Sequence, residues 1–168
     1  VFTNSAEFGV INQRDFFDHD VANVDNIQGY YIVRPNDYVY NPRISTTAPV
    51  GPINRNKLGC CGVMSPLYYV FRVEKQSDGI LHFLDYYFKS NMWHDFMFKN
   101  GNSGARSDRF SISDSTFSLM PILYPQKEEE QLNIGQVFIN MEKLMRTESI
   151  KLSKFRSMKH SLLQKMFV

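Results

Sequence analysis

The sequence predicts an α+β protein: a mixed, β-rich globular domain over residues 1–125, followed over 126–168 by one long helix that forms a coiled coil. Three observations carry this. From Ile134 a seam of mostly apolar positions steps by alternating fours and threes through Phe138, Met141, Met145, Glu148, Leu152, Phe155, Lys159, Leu162 and Met166. A sustained 3.5-residue repeat is the pattern of a helix packed along its length against another helix. Ahead of it, short runs of aromatic and β-branched residues alternate with Pro, Gly, Asn and Asp, the signal of strands and turns. Between these, Ile80 to Lys99 carries apolar residues at threes and fours, as a helix does.

The terminal helix has its ends marked by charge. Glu128, Glu129 and Glu130 stand in the expected first turn and Lys and Arg crowd the second half, matching the helix dipole at both ends. Forty helical residues would span roughly 60 Å, so the helix requires a partner.

At 168 residues the chain holds one ordinary core and a helical appendage, not two full cores. The net charge of +2 is unevenly spread. Residues 1–126 carry eleven Lys/Arg against twelve Asp/Glu, and residues 127–168 carry eight against five. The domain would therefore bind an anion through local clusters of cations, not through a general positive field. No run of eighteen apolar residues exists, so no membrane span is predicted. Val1-Phe2-Thr3-Asn4 lacks the sections of a signal peptide, and a cytoplasmic location is expected. Cys60 and Cys61 are adjacent, too close for an easy disulfide and wrongly spaced for a zinc knuckle; two reduced thiols on or near a strand are expected.

Taken in order, Val1 to Thr3 reads as a strand with no opening segment to pair with it. Arg14 to Val24 reads as a short helix capped near Asn12. His19 has no second ligand at i+3 or i+4 and reads as a surface histidine. Gly29 to Val33 and Tyr38 to Ile44 read as a hairpin about Arg34-Pro35-Asn36-Asp37. Ser45 to Gly62 reads as a surface loop with a short strand at Val50 to Ile53. Val63 to Val73 is the strongest strand signal and is expected at the centre of the sheet. Ile80 to Lys99 is expected as one helix, with His82 and His94 as ordinary polar residues. A Gly- and Ser-rich loop follows, then short edge strands at Phe110 to Ile112 and Leu119 to Ile122, and a hinge between Pro121 and Pro125.

No catalytic site assembles. The chain has no glycine-rich phosphate loop, no Gly-x-Ser-x-Gly elbow, no His-Glu-x-x-His and no Cys/His clusters at ligand spacing. Tyr40-Asn41-Pro42-Arg43 shares only its start with the Asn-Pro-Pro-aromatic motif of amino-methyltransferases and reads as a strand end with a turn. No enzyme, metal or cofactor is expected. Three polar segments instead carry residue types that contact DNA: Asn41 with Arg43, Arg55 with Lys57, and Asn102, Ser103, Arg106 and Arg109. Arg reads guanine in a bidentate way, Asn reads adenine, and small residues let backbone amides approach phosphates. Arg106 and Arg109 could equally pin their own loop through Asp108 or Asp114.

One resemblance sharpens this. Met120-Pro121-Ile122-Leu123-Tyr124-Pro125-Gln126-Lys127-Glu128-Glu129-Glu130-Gln131, the heptad helix and the ending Ser161-Leu162-Leu163-Gln164-Lys165-Met166-Phe167 together resemble the C-terminal conserved region of the DNA-specificity subunits of type I restriction-modification systems. Asp37 to Arg43, Gly62-Val63-Met64-Ser65-Pro66 and Gly104-Ala105-Arg106 are of the family's kind. The resemblance implies a target recognition domain that reads one half of a split site on double-stranded DNA. It also implies a spacer helix that docks methyltransferase subunits and, through them, the restriction and translocase subunit. Such subunits usually hold two recognition domains and two helices. With one of each, the chain reads as the second half of a subunit, a half-length subunit or a truncated product, and an isolated half is able to pair with another half or with its own copy through Ile134, Phe138, Met141, Met145, Leu152, Phe155, Leu162 and Met166. The rival reading is a homodimeric coiled-coil protein whose head binds a protein or peptide.

Overall fold

A computed structural model describes residues 1–16, 27–103 and 108–167. It is an α+β fold of small antiparallel sheets with a long C-terminal helix. His19, Arg106 and most of the Arg14–Val24 segment lie outside the described residues.

The fold is built around β4 (Tyr38–Tyr40), the middle strand of a three-stranded sheet between β5 (Ile53–Arg55) and β7 (Tyr69–Phe71). All three of its residues are fully buried. Successive side chains of a strand point to opposite faces. Tyr38 and Tyr40 accordingly join one core cluster with α2 (Asp78–Tyr87), α3 (His94–Asn100) and α4 (Asp114–Phe117), while Val39 joins a second cluster with Phe2, Val10, Val33 and Met64. The second cluster is supplied by the hairpin β1 (Phe2–Ser5) with β2 (Gly9–Asn12), and by β3 (Tyr31–Val33) paired with β6 (Gly62–Met64).

Several expectations change. The first strand does have a mate: β1 pairs with β2 across a turn in which the Ser5 hydroxyl accepts from the Glu7 and Phe8 amides and Gly9 takes a positive φ of 71°. A three-residue turn left no room for a separate strand signal. After β2, α1 (Gln13–Phe16) opens beside Asn12, whose side-chain oxygen accepts from the Arg14 amide. The segment Val63–Val73 is not one central strand. Ser65-Pro66-Leu67-Tyr68 turns the chain, with the Tyr68 amide bonded to the Ser65 carbonyl, so that β6 and β7 serve different sheets and β7 lies at an edge. Proline cannot donate to a ladder and favours the second position of such a turn.

The strand expected at Val50–Ile53 begins only at Ile53, because Gly51 takes a φ of 86° and Pro52 follows. The expected helix Ile80–Lys99 is two helices. Ser90 and Asn91 interrupt it, with Ser90 Oγ donating to the Tyr87 carbonyl and the buried Trp93 indole donating to that of Phe88. Polar side chains that bond the local backbone compete with helix continuation. Leu119–Ile122 forms no strand; the short helix α4 precedes it, capped by the Ser113 hydroxyl on the Thr116 amide. Phe110–Ser111 forms β9, paired with β8 (Asn102–Ser103). Cys60 and Cys61 are free and exposed in the turn before β6.

The terminal helix, α5 (Glu128–Met166), runs for 39 residues. Its first half lies against α2 through Gln131, Gly135, Phe138 and Glu142: Gln131 is buried, Gly135 rests on His82, Phe138 stacks on Tyr86 at 4.9 Å, and Glu142 accepts from Lys89 Nζ at 2.7 Å. Of the predicted seam only Phe138 belongs to this contact, and Ile134 is half-buried beside it. Residues 140–167 are all exposed. No helix of the described residues is long and apolar enough to cross a membrane.

Candidate nucleic-acid interface

The predicted DNA-contacting residues divide between the two ends of β4. At the Tyr40 end the chain leaves the sheet through Asn41-Pro42-Arg43. Asn41 is half-buried and holds the fold together: its Nδ2 donates to the Asn4 carbonyl at 2.7 Å, and its Oδ1 accepts from the Arg43 amide at 3.0 Å. It sits in a cluster with Asn4, whose Nδ2 donates to the Val39 carbonyl and whose Oδ1 accepts from Asn54. Both ends of the Asn41 side-chain amide are thus engaged inside the domain.

Beyond Asn41, residues 42–44 run beside β9. The Phe110 amide donates to the Pro42 carbonyl at 2.8 Å, the Ile44 amide donates to that of Asp108 at 3.0 Å, and Arg43 and Arg109 form an antiparallel bridge. On the other side of β9 lie Asn102, opposite Ser111, and Ser103, opposite Phe110. Arg43, Arg109, Asn102 and Ser103 thereby come to one three-ply patch, with Arg43 on one side of β9 and Asn102 and Ser103 on the other. Arg43, Asn102 and Ser103 are exposed and Arg109 is half-buried.

Residues opposite one another in an antiparallel ladder project to the same face, and like charges so placed repel. Arg43 and Arg109 are such a pair, and neither forms an ion pair among the described residues. A bound anion would relieve that repulsion. The alternative expected for Arg109, an ion pair with Asp108 or Asp114, does not form.

At the Tyr38 end the picture differs. Arg55 donates through Nε and Nη2 to the two oxygens of Asp85, at 2.9 and 2.7 Å, and through Nη1 to Asn36 Oδ1 at 2.7 Å. Its side chain is only 11% exposed and that of Asp85 only 7%. Burial alone would lower the Arg55 pKa, but the hydrogen bonds and charge of Asp85 outweigh it and the net shift is upward. Arg55 is therefore engaged within the domain, with its guanidinium shared between Asp85 and Asn36. Burial, with the Asp85 charge adding to it, likewise raises the pKa of Tyr38. Lys57 shares the same carboxylate at 2.7 Å but is 59% exposed, so its ammonium stays at the surface.

Sequence reasoning missed Asp85 and Asn4, the groups that hold Arg55 and Asn41. Asp85 was visible only as one polar residue on a helix face. A second acidic group, Asp37, accepts from Arg72 Nε at 2.6 Å and from the Arg34 amide at 2.7 Å, fixing the turn before β4.

One further surface feature adjoins the sheet. A cleft of about 320 Å³ beside β7 is lined by Tyr31, Tyr68, Tyr69, Phe71, Asp114 and Phe117. Burial and the neighbouring Asp114 carboxylate push the Tyr69 hydroxyl pKa up to about 12, and that hydroxyl donates to the Ile112 carbonyl. Among the described residues no group of three His, Cys, Asp or Glu side chains is placed to hold a metal.

Comparisons of the chain with family models, with curated proteins and with solved structures find no match.

Proposed function

We propose that this chain reads one half of a bipartite site on double-stranded DNA, as the specificity subunit or half-subunit of a type I restriction-modification complex. The observation that carries the reading is the Arg43–Arg109 bridge, two like charges held side by side, with Asn102 and Ser103 across β9 in the same three-ply patch. In this reading Arg43 and Arg109 meet phosphate or a guanine edge, Asn102 and Ser103 meet a neighbouring base or phosphate, and Arg106 and Lys57 supply further cations. The long helix serves as spacer and as the docking surface for methyltransferase subunits. The chain itself carries out no chemistry.

The test is fluorescence anisotropy with a labelled duplex of random sequence, repeated over a salt series. Binding should weaken steeply as salt rises, and Arg43→Ala or Arg109→Ala should each reduce the slope of log K against log salt by about 1 if the residue contacts phosphate. No duplex binding even at low salt would overturn the reading.

The aromatic cleft beside the open edge of β7 favours one other reading, a head that takes an extended peptide as an added strand. A head of that kind would ignore duplex DNA and bind peptides with little dependence on salt.

A further inference from the structure

Among the described residues nothing holds the Arg43 side chain in place. It is exposed, it makes no ion pair or side-chain hydrogen bond there, and it stands opposite Arg109, whose like charge repels it. Where its guanidinium points is therefore set by the backbone at position 43. That backbone is clamped from two sides. On one, Pro42 and Ile44 bond to Phe110 and Asp108. On the other stands Asn41.

Asn41 is anchored before it reaches Arg43. Its amide donates to the Pro52 carbonyl at 2.9 Å and its Nδ2 to the Asn4 carbonyl at 2.7 Å. Asn4 is buried, and its own Nδ2 donates to the same Pro52 carbonyl at 3.2 Å and to that of Val39 at 2.7 Å. From this anchored side chain Oδ1 reaches forward to the Arg43 amide at 3.0 Å. An Asn oxygen that accepts from the amide two residues on closes a turn, and the proline between them fixes one of its dihedrals.

We infer that Asn41 is a positioning residue for Arg43, acting on DNA recognition through the arginine's backbone and not by touching DNA. What Arg43 meets rests on the DNA reading; how Asn41 holds it rests on hydrogen bonds within the domain.

The alternative, direct reading by Asn41, makes a conflicting demand. Asn pairs with adenine through both ends of its amide. Here Nδ2 already serves Asn4 and Oδ1 already serves Arg43. Turning the side chain to a base would leave the Asn4 carbonyl and the Arg43 amide without these partners, and a polar group left unpaired costs more than the bond it lost was worth. Positioning makes no such demand. It holds one of two mutually repelling arginines where DNA finds it, so that binding need not order it first.

The experiment is a double-variant cycle on the full chain, with fluorescence anisotropy of the labelled random duplex as the readout. Asn41→Ala should weaken binding roughly tenfold. In Asn41→Ala/Arg43→Ala the loss should be no greater than in Arg43→Ala alone, because a residue that acts through Arg43 has nothing left to act on. A direct DNA contact, or a general loosening of the domain, would add its loss in both backgrounds. Amide exchange followed by NMR supplies the second readout: the Arg43 amide should exchange at least about tenfold faster in Asn41→Ala than in the wild type. Circular dichroism and Trp93 fluorescence confirm that each variant is folded. Should the alanine variant fail to fold, Asn41→Gln serves in its place, since it keeps the amide but moves the oxygen by one methylene away from the Arg43 amide.

Additive losses, a position 41 variant that binds as the wild type does, or an unchanged Arg43 exchange rate would each overturn the inference. The two proposals fail separately. A wild type that ignores duplex DNA removes the DNA reading, and the exchange rate then decides alone whether Asn41 holds Arg43. A wild type that binds with additive losses keeps the DNA reading and removes only the positioning role.

Discussion

Gly135 of α5 lies so close over His82 of α2 that a Cβ at position 135 would stand 2.6 Å from the His82 Cβ. The missing side chain is what lets the two helices approach until Phe138 stacks on Tyr86. Gly135→Leu should force α5 away from α2 and cost about 1–3 kcal/mol, as overpacking in a well-packed contact does. Urea unfolding followed by the fluorescence of Trp93, the only tryptophan, measures it. An unchanged midpoint would mean that the α2–α5 contact adds nothing to stability.

Gly51 meets a stricter limit. Its φ is 86°, and a Cβ there would lie 2.1 Å from the Asn41 carbonyl oxygen, which is backbone and cannot yield as a side-chain tip can. Gly51→Ala combines a left-handed conformation with a backbone clash and should destabilise the domain by at least about 1–2 kcal/mol, the conformational cost alone. Thermal unfolding reports it. A stable alanine variant would show that the turn carrying Arg43 can shift.

Arg55 and Lys57 touch the same carboxylate and should behave differently when truncated. Arg55→Ala leaves the buried Asp85 with one exposed lysine and should cost about 3 kcal/mol, as breaking a buried pair does. Lys57→Ala removes a solvated partner and should cost about 0–1 kcal/mol. Chemical denaturation of the two variants checks this, and equal losses would contradict the burial argument.

The α2–α5 contact should also weaken in acid. Hydrogen bonds from Lys89 and Tyr86 lower the Glu142 pKa against a smaller opposing effect of burial. A carboxylate with a depressed folded pKa contributes stability that is complete above its unfolded pKa, about 4.3, and is lost as pH falls through the lower folded value. Amide exchange in residues 131–142, compared between pH 6 and pH 3.5 as about the two sides of that window, should show the loss, and Glu142→Gln should remove the pH dependence.

Long, strongly periodic features were legible in the sequence. The terminal helix was expected from Glu128 and runs from Glu128 to Met166, because a heptad repeat over many turns admits no other backbone period. The strand at Tyr38–Tyr40 was legible for its aromatic and β-branched content. Its rank was not: Val63–Val73 is more apolar, and only the Ser65-Pro66 turn, with the pairing it imposes, makes Tyr38–Tyr40 the centre. Within the candidate site, Arg43, Arg109, Asn102 and Ser103 were named one by one, but nothing local said that residues 42–44 would lie along β9. Nothing local said that Arg55 and Asn41 would be held within the domain, since Asp85 and Asn4, their partners, lie 30 and 37 residues away.

What the sequence by itself determined is whatever depends on neighbours along the chain: the α+β class, the long helix with its apolar seam, and the turns at Pro and Gly. What only the tertiary structure decided is which cations are free. An arginine beside a buried carboxylate and an arginine beside another arginine look alike in a loop sequence. Long-range packing sets Arg55 against Asp85 and Arg43 against Arg109, and so gives the first a structural role and leaves the second facing outward.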